Sequence, residues 1–295
     1  MKTVCVLMST YNGEAFLKKQ IDSILKQKGV NVFLLVRDDC SDDSTISILE
    51  EYEREGSLRY IRDQKNLGPA CSFMKLLYNS TDADYYAFAD QDDIWLDEKL
   101  AQGIEMLGDT GVPCLYCSNQ MIYQNGEVHG MRLAEKPNLG LVNAICANTI
   151  SGCTMIMNKT LRNLLIDEKH RPSEECLKKR MHDTWVIAVS EAVGSVIYDH
   201  RSFIHYRIHD SNTVGLKSTK LDRLKSVIKD SSKKHGRSCL AKELLKLENI
   251  DDSKREIIEA FAERSFKRLV KNKDIKRECN EKRLLFDIKA FLRWE

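Results

Sequence analysis

Residues 84–93, Asp84-Tyr85-Tyr86-Ala87-Phe88-Ala89-Asp90-Gln91-Asp92-Asp93, join an aromatic-rich apolar run to three closely spaced carboxylates. A buried parallel strand delivers acidic groups to the rim of a sheet in this way. Carboxylates this close raise one another's pKa unless a cation neutralises them. Mg²⁺, Mn²⁺ and Ca²⁺ all prefer carboxylate oxygens, so the run reads as a divalent-metal site.

The flanking sequence supplies elements to position it. Thr3–Met8 is expected as a strand, and Leu17, Ile21, Ile24 and Leu25 as one face of a helix. Val32–Val36 is a second strand that stops at Arg37-Asp38-Asp39. Ser41-Asp42-Asp43-Ser44 then caps a helix to about Arg54, Leu58–Ile61 is a third strand, and Asn66-Leu67-Gly68-Pro69 turns into another helix. After the acidic strand comes a helix around Leu96–Leu107. Leu115–Ser118 and Met121–Tyr123 with Asn125-Gly126 suggest antiparallel strands and a turn, and Cys153–Met157 another strand. His182-Asp183 opens a helix to about Ala192, and Ser195–Tyr198 and Ile204–Ile208 are late strands ending at His209. Alternation of strands and helices predicts an α/β fold over residues 1–215. From Lys217 onward apolar residues recur only at helical spacing, as in Leu284, Leu285, Ile288, Phe291 and Leu292, predicting a helical C-terminal region over 216–295.

In an open α/β sheet, ligands bind beyond the carboxyl ends of the strands. The polar residues collected there are Ser9 to Glu14, Asp38-Asp39, Asp90-Gln91-Asp92-Asp93, Asp183 and His209. There is no GxGxxG and no Walker loop with its lysine. A metal held by carboxylates is the obvious substitute for binding phosphates.

In this order, Ser9-Thr10-Tyr11-Asn12-Gly13, Asp38-Asp39-Cys40-Ser41-Asp42-Asp43-Ser44-Thr45, Asn66-Leu67-Gly68 and Phe88-Ala89-Asp90-Gln91-Asp92-Asp93-Ile94-Trp95 resemble the family 2 glycosyltransferases with a GT-A fold, across about residues 1–215. Ser151-Gly152-Cys153-Thr154-Met155, His182-Asp183-Thr184-Trp185 and Tyr206-Arg207-Ile208-His209 look most like the rhamnosyltransferase-type enzymes of bacterial surface polysaccharide assembly. The resemblance implies a Rossmann-like, mixed but mostly parallel sheet flanked by helices. It also implies metal-dependent, inverting transfer of a sugar, with rhamnose favoured, from a dTDP or UDP donor to a saccharide or lipid-linked saccharide acceptor. On that pattern Thr10, Asn12 and Glu14 lie near the donor nucleotide, and Asp39 accepts from the imide N–H of a pyrimidine. Asp90 faces the ribose and a metal-bound water, and Asp92 ligates Mg²⁺ or Mn²⁺. Asp93 stands behind them, and His209 reaches the diphosphate or completes the metal shell. Asp183 is the candidate base for the acceptor hydroxyl, and its place at a helix start is expected to lower its pKa. His182 stands where many family members carry Glu.

Each assignment competes with a plainer one. Asp42, Asp43 and Ser44 serve as helix caps, Asp38 as a turn residue, and Asp183 has the position of a simple N-cap. With 295 residues, 42% of them hydrophobic, the chain can bury a full core. It has no apolar run long enough to span a bilayer and no signal-peptide pattern at Met1-Lys2-Thr3, so a cytoplasmic protein is expected. The ten cysteines lie mostly in apolar stretches, and Cys114-Leu115-Tyr116-Cys117 lacks the second pair that a zinc site needs. Residues 216–295 hold 23 Lys and Arg against 14 Asp and Glu, whereas residues 1–215 hold 23 against 30. The basic segment from Lys217 to Arg237, and Lys282, Arg283, Lys289 and Arg293, form either a solvated helical face or a peripheral contact with the inner face of the plasma membrane. Interspersed acids and sparse aromatics disfavour nucleic acid. A catalytically inactive nucleotide-binding partner of another transferase remains the alternative. A sugar nucleotidyltransferase would open with a Gly-rich basic loop, which Ser9–Glu14 is not.

Overall fold

The computed structural model describes residues 1–209, 235–273 and 275. Its centre is the predicted acidic strand, β4 (Tyr85–Ala89), whose residues are all buried. β4 runs parallel to β1 (Lys2–Thr10), with Met8 opposite Ala89, and β1 pairs in parallel on its other side with β2 (Val30–Asp38), Thr10 opposite Asp38. β3 (Arg59–Arg62) extends the parallel run beyond β2. The crossovers pass through α1 (Leu17–Leu25), α2 (Thr45–Arg54) and α3 (Pro69–Tyr78). Gly68, just before α3, has φ +75°, a left-handed conformation natural to glycine, and Pro69 fills the first turn where no N–H is needed.

The chain therefore builds outward from β1 to β3 and then returns past β1 to β4. That reversal opens a crevice at the carboxyl ends of β1, β2 and β4. Beyond it lie β5 (Ile94–Trp95), α4 (Lys99–Leu107), β6 (Cys114–Gln124), β7 (Glu127–Met131), α5 (Leu141–Ala147), β8 (Ile156–Asn158), α6 (Lys159–Ile166), α7 (Glu174–Arg180), α8 (His182–Val193) and β9 (Ser195–Arg207). The sheet reads β3-β2-β1-β4-β8-β6-β9-β5, with β7 paired to β6. β8 is antiparallel to both neighbours, whereas the long β6–β9 ladder is parallel.

Three details depart from the expected elements. Leu115–Ser118 and Met121–Tyr123 are not two antiparallel strands but one, β6, whose antiparallel partner β7 follows the Asn125-Gly126 turn. Cys153–Met157 is not one strand, because Ser151 O accepts from both Thr154 N and Thr154 Oγ1 and winds Gly152–Thr154 into a 3₁₀ turn before β8. The two late strands are one: β9 follows β6 continuously through register shifts around Asn119.

Side chains alternate across the sheet. Cys5, Leu7, Tyr86 and Phe88 enter one core, whereas Val4, Val6, Met8, Tyr85 and Ala87 enter the other. Cys114 and Cys117 likewise fall in opposite cores, which removes any shared metal role. α1, α2 and α4 cover one face; α3 and α5 to α8 cover the other. Helices α9 (Gly236–Leu244) and α10 (Asp252–Ala262) add Leu240, Leu244, Ile258 and Phe261 to that second core, and α11 (Phe266–Lys271) adds Leu269. The expected division at residue 215 and the basic residues 217–234 and 282–293 lie outside the described residues; Arg237, the last of the expected basic segment, is buried and donates Nη2 to Cys146 O, so it lies on neither a solvated face nor a membrane contact. Among the described residues, no helix is long and apolar enough to cross a membrane.

Because Phe261 is fully buried in the shared core, Phe261→Ala should cost about 3–5 kcal/mol. Calorimetry should show one unfolding transition moved to lower temperature; an unmoved main transition would mean that α10 contributes nothing to the stability of the sheet.

Candidate active site

The crevice encloses roughly 700 Å³ and is lined by Thr10, Asn12, Asp39, Asp90, Asp92, Asp183 and His209. Glu14 is not brought there. It is exposed, its carboxylate accepts from Ser44 N at 2.9 Å, and its own N–H donates to Asp43 at 3.0 Å. Glu14 and Asp43 thus supply the acceptors for the head of α2, since Ser44 makes no side-chain cap. Asn12, at φ +48°, holds the same loop by accepting from Asp42 N and donating its backbone N–H to Ser41 Oγ.

Asp39 is 3% exposed, and its carboxylate is almost fully engaged. Oδ1 accepts from Arg37 Nη1 at 2.6 Å and from Leu67 N at 2.7 Å; Oδ2 accepts from Gly68 N at 2.8 Å. A carboxylate oxygen has two lone pairs, so Oδ2 keeps one acceptor position for a ligand. The Asn66-Leu67-Gly68 signature is in this light a pair of main-chain donors for Asp39. Asp38, also buried, is the turn residue: it takes the hydroxyls of Thr10 and Ser41 and the Ser41 N–H.

Arg37 was not singled out by its sequence. It is fully buried and spans Asp39, Asp63 (2.9 Å) and Ser72 Oγ (2.8 Å). An arginine inside an otherwise apolar strand next to two aspartates was the available signal, because a buried guanidinium needs partners.

The acidic loop is tied to the first loop by Gln91. Its Oε1 accepts from Tyr11 N at 2.8 Å and its Nε2 donates to Tyr11 O at 3.0 Å. Gly13 permits this approach, since a Cβ there would lie 2.4 Å from Gln91 Oε1. Burial, then the neighbouring carboxylates, raise Asp90 and hold Asp93 well above the usual carboxylate range. Asp92 Oδ2 lies 2.9 Å from His209 Nε2 at the mouth of the cleft. Asp90, Asp93 and Cys153 also bring ligand atoms within 4.8 Å of one another. Burial holds the Cys153 thiol protonated, and hard cations prefer oxygen, so that trio forms the floor of the site. The donor set that fits a divalent cation is the carboxylates of the loop with His209.

Across the cleft, Met181 at φ +63° turns the chain into α8 and presents Asp183. The expected lowering of the Asp183 pKa is not what the structure gives. Burial dominates and pushes it up to about 6, opposed by the Thr184 backbone and hydroxyl donors and the positive charges of Arg180 and Arg132. His182 is packed as an aromatic ring, stacked on Phe73 (4.2 Å, 24°) and edge-on to Phe88 (5.1 Å), and burial pushes its pKa down to about 3. A Cβ at Gly152 would meet its Nε2 at 2.5 Å. Arg132, unmarked in sequence, is the one guanidinium lining the cleft among the described residues, held by Gln120 Oε1 at 2.8 Å and Ser151 Oγ at 2.7 Å.

A Rossmann-like sheet, an acidic loop suited to a metal and a carboxylate facing it across a cleft together define a glycosyltransferase of the GT-A type. The sequence matches the family "Glycosyl transferase family 2" over residues 5–165, and the chain belongs to that family. It is 28% identical over 219 residues to the dTDP-rhamnosyl transferase RfbG of Shigella flexneri, covering 70% of this chain and 73% of that one. It is 30% identical over 161 residues to the UDP-Glc:alpha-D-GlcNAc-diphosphoundecaprenol beta-1,3-glucosyltransferase WfgD of Escherichia coli, covering 54% of this chain and 62% of that one. In fold it resembles S. aureus TarS 1-349 in complex with UDP, with TM-score 0.57 at 21% identity over 90% of this chain and 72% of that one. It also resembles the mannosyltransferase PcManGT of Pyrobaculum calidifontis in complex with GDP-Man and Mn²⁺, with TM-score 0.55 at 13% identity over 98% and 86%. The chain is a glycosyltransferase, and its relatives include the Bacillus subtilis protein named as a teichuronic acid biosynthesis glycosyltransferase, TuaG, 27% identical over 155 residues, covering 52% of this chain and 61% of that one.

Replacing Arg37 by Met leaves buried Asp39 without its counter-charge, while Asp63 keeps Lys75 at 2.8 Å. Arg37→Met should cost about 3 kcal/mol in urea unfolding, the low end for a broken buried pair because Asp63 reaches solvent. A change below 0.5 kcal/mol would refute that account.

Proposed function

We propose that the protein is a metal-dependent inverting transferase that moves a hexose, with rhamnose favoured, from dTDP or UDP to a saccharide acceptor. The single observation that carries this reading is the meeting, in one cleft, of Asp39, the acidic loop and Asp183. The names of RfbG and WfgD favour a dTDP or UDP sugar, and WfgD's name favours a lipid-linked acceptor.

In this reading the open acceptor position on Asp39 Oδ2 takes the imide N–H of the pyrimidine. Thr10 and Asn12 shape the nucleotide end and Asp90 faces the ribose, while Asp92 and His209 would hold the cation. When bound, the cation supplies Lewis-acid stabilisation of the leaving nucleoside diphosphate. Asp183 takes the proton of the acceptor hydroxyl as that oxygen bonds the anomeric carbon, and the bond to the diphosphate breaks on the opposite face. Neutral His182, wedged between aromatic rings, orients the start of α8 without adding charge beside the base.

Only the Asp183 carboxylate can accept the proton. With its pKa raised to about 6, kcat/KM should fall tenfold per pH unit below about 6 and level off above it. Asp183→Asn should lower kcat by about 10²–10⁴-fold. Its melting temperature above pH 6 should be unchanged or higher, because burial already disfavours the charge. Undiminished transfer in this variant would remove Asp183 as the base.

A thermal-shift panel of UDP, dTDP and GDP with Mn²⁺, Mg²⁺ or EDTA tests the donor site. Stabilisation by UDP or dTDP should require metal and vanish in Asp92→Ala; at 100 times Kd it amounts to about 2.7 kcal/mol. No metal-dependent response, together with no turnover of any donor, would favour an inactive partner of another transferase.

A further inference from the structure

Arg207, the last residue of β9, is 9% exposed, and its guanidinium gathers main-chain carbonyls from two separate segments. Nε donates to Asp92 O; Nη2 donates to Asp93 O at 3.2 Å and to Phe16 O at 3.0 Å. The guanidinium also lies over the Phe16 ring, 4.9 Å from its centroid. That ring is stacked on the His209 imidazole at 4.2 Å and 25°, and His209 Nε2 meets Asp92 Oδ2 at 2.9 Å. The contacts close a circuit: from Arg207 through the acidic-loop backbone to Asp92, and from Arg207 through Phe16 and His209 back to the same carboxylate.

We propose that Arg207 is a positioning residue that preorganises Asp92 and His209 as a pair for a divalent cation. The inference rests on the metal-dependent reading above. It adds that affinity for the ion is set by a group that does not itself bind it. Arginine suits the role because a planar fork can serve several carbonyls and stack on a ring at once. Lysine keeps the charge but has one nitrogen and no flat face. Groups that orient metal ligands in this way typically change metal affinity by about 10–100-fold when removed.

The test is a Mn²⁺ titration in saturating UDP, followed by the electron paramagnetic resonance of the free ion, for wild type, Arg207→Lys, Arg207→Met and Phe16→Leu. Circular dichroism and melting in EDTA report the fold. Arg207→Lys and Arg207→Met should weaken Mn²⁺ by about 10–100-fold. Phe16→Leu, which keeps the carbonyl contacts but removes the ring under His209, should weaken it less. Transfer by Arg207→Lys should recover at high Mn²⁺, so that the KM for the ion rises far more than kcat falls; a merely structural residue would lower kcat at every Mn²⁺ concentration. Folded Arg207→Lys that binds Mn²⁺ within twofold of wild type would overturn the inference alone. Should both Arg207 variants fail to fold, Phe16→Leu decides, and unchanged affinity there overturns it. A wild type that binds no Mn²⁺ with UDP or dTDP would overturn the metal-dependent reading and this inference with it.

Discussion

Negative charge gathered at the carboxyl edge of a parallel sheet must be compensated, and the two ends of the cleft meet that requirement differently. At the end of β2, Arg37 and two main-chain donors satisfy Asp39 before any ligand arrives. At the end of β4, compensation is incomplete. Lys99 lies buried with its ammonium 3.8 Å from the centre of the Trp95 ring, and burial pushes its pKa down to about 7. The carboxylates above it sit high on the pH scale. In the reading proposed above, the satisfied end would recognise a neutral base, and the under-compensated end would favour a cation arriving with the diphosphate.

The same constraint explains the opposite wall. Asp183 faces a cleft already rich in carboxylates and is itself largely removed from water. A glutamate beside it would add another charge; His182 gives a ring that Phe73 and Phe88 can pack, and Gly152 provides the space. The histidine is thus consistent with the electrostatics of its surroundings. Burial also overrides the helix terminus in setting the Asp183 pKa, because the terminal turn contributes less than the loss of solvation.

Much of this was legible in the chain. Strands ending in acids, helices opening at Gly68-Pro69 and His182-Asp183, and the order of the motifs locate the cleft, because period and turn chemistry are local properties. Partnerships between distant segments were not legible. Nothing in the spacing tells that Glu14 turns to the head of α2, that Gln91 pairs with Tyr11, that Arg132, just after β7, lines the cleft, or that Arg207 at the end of β9 gathers the carbonyls of Asp92 and Asp93. These depend on which loops the topology brings together. Ser195–Tyr198 and Ile204–Ile208 read as separate strands because the polar residues between them mask a ladder that tolerates register shifts. The 3₁₀ turn before β8 was hidden by an apolar pattern that suits either conformation.

The Gln91 amide, bonded both ways to the Tyr11 backbone, copies the hydrogen-bond pattern of a peptide in a sheet. It adds one more rung beyond the point where β1 and β4 part company. The loop after β1 and the loop of carboxylates are therefore tied together across the end of the sheet. In the reading proposed above, such a site would work as a caliper: it would respond to the span from base to diphosphate, and a donor that fits one jaw but not the other would gain little from either.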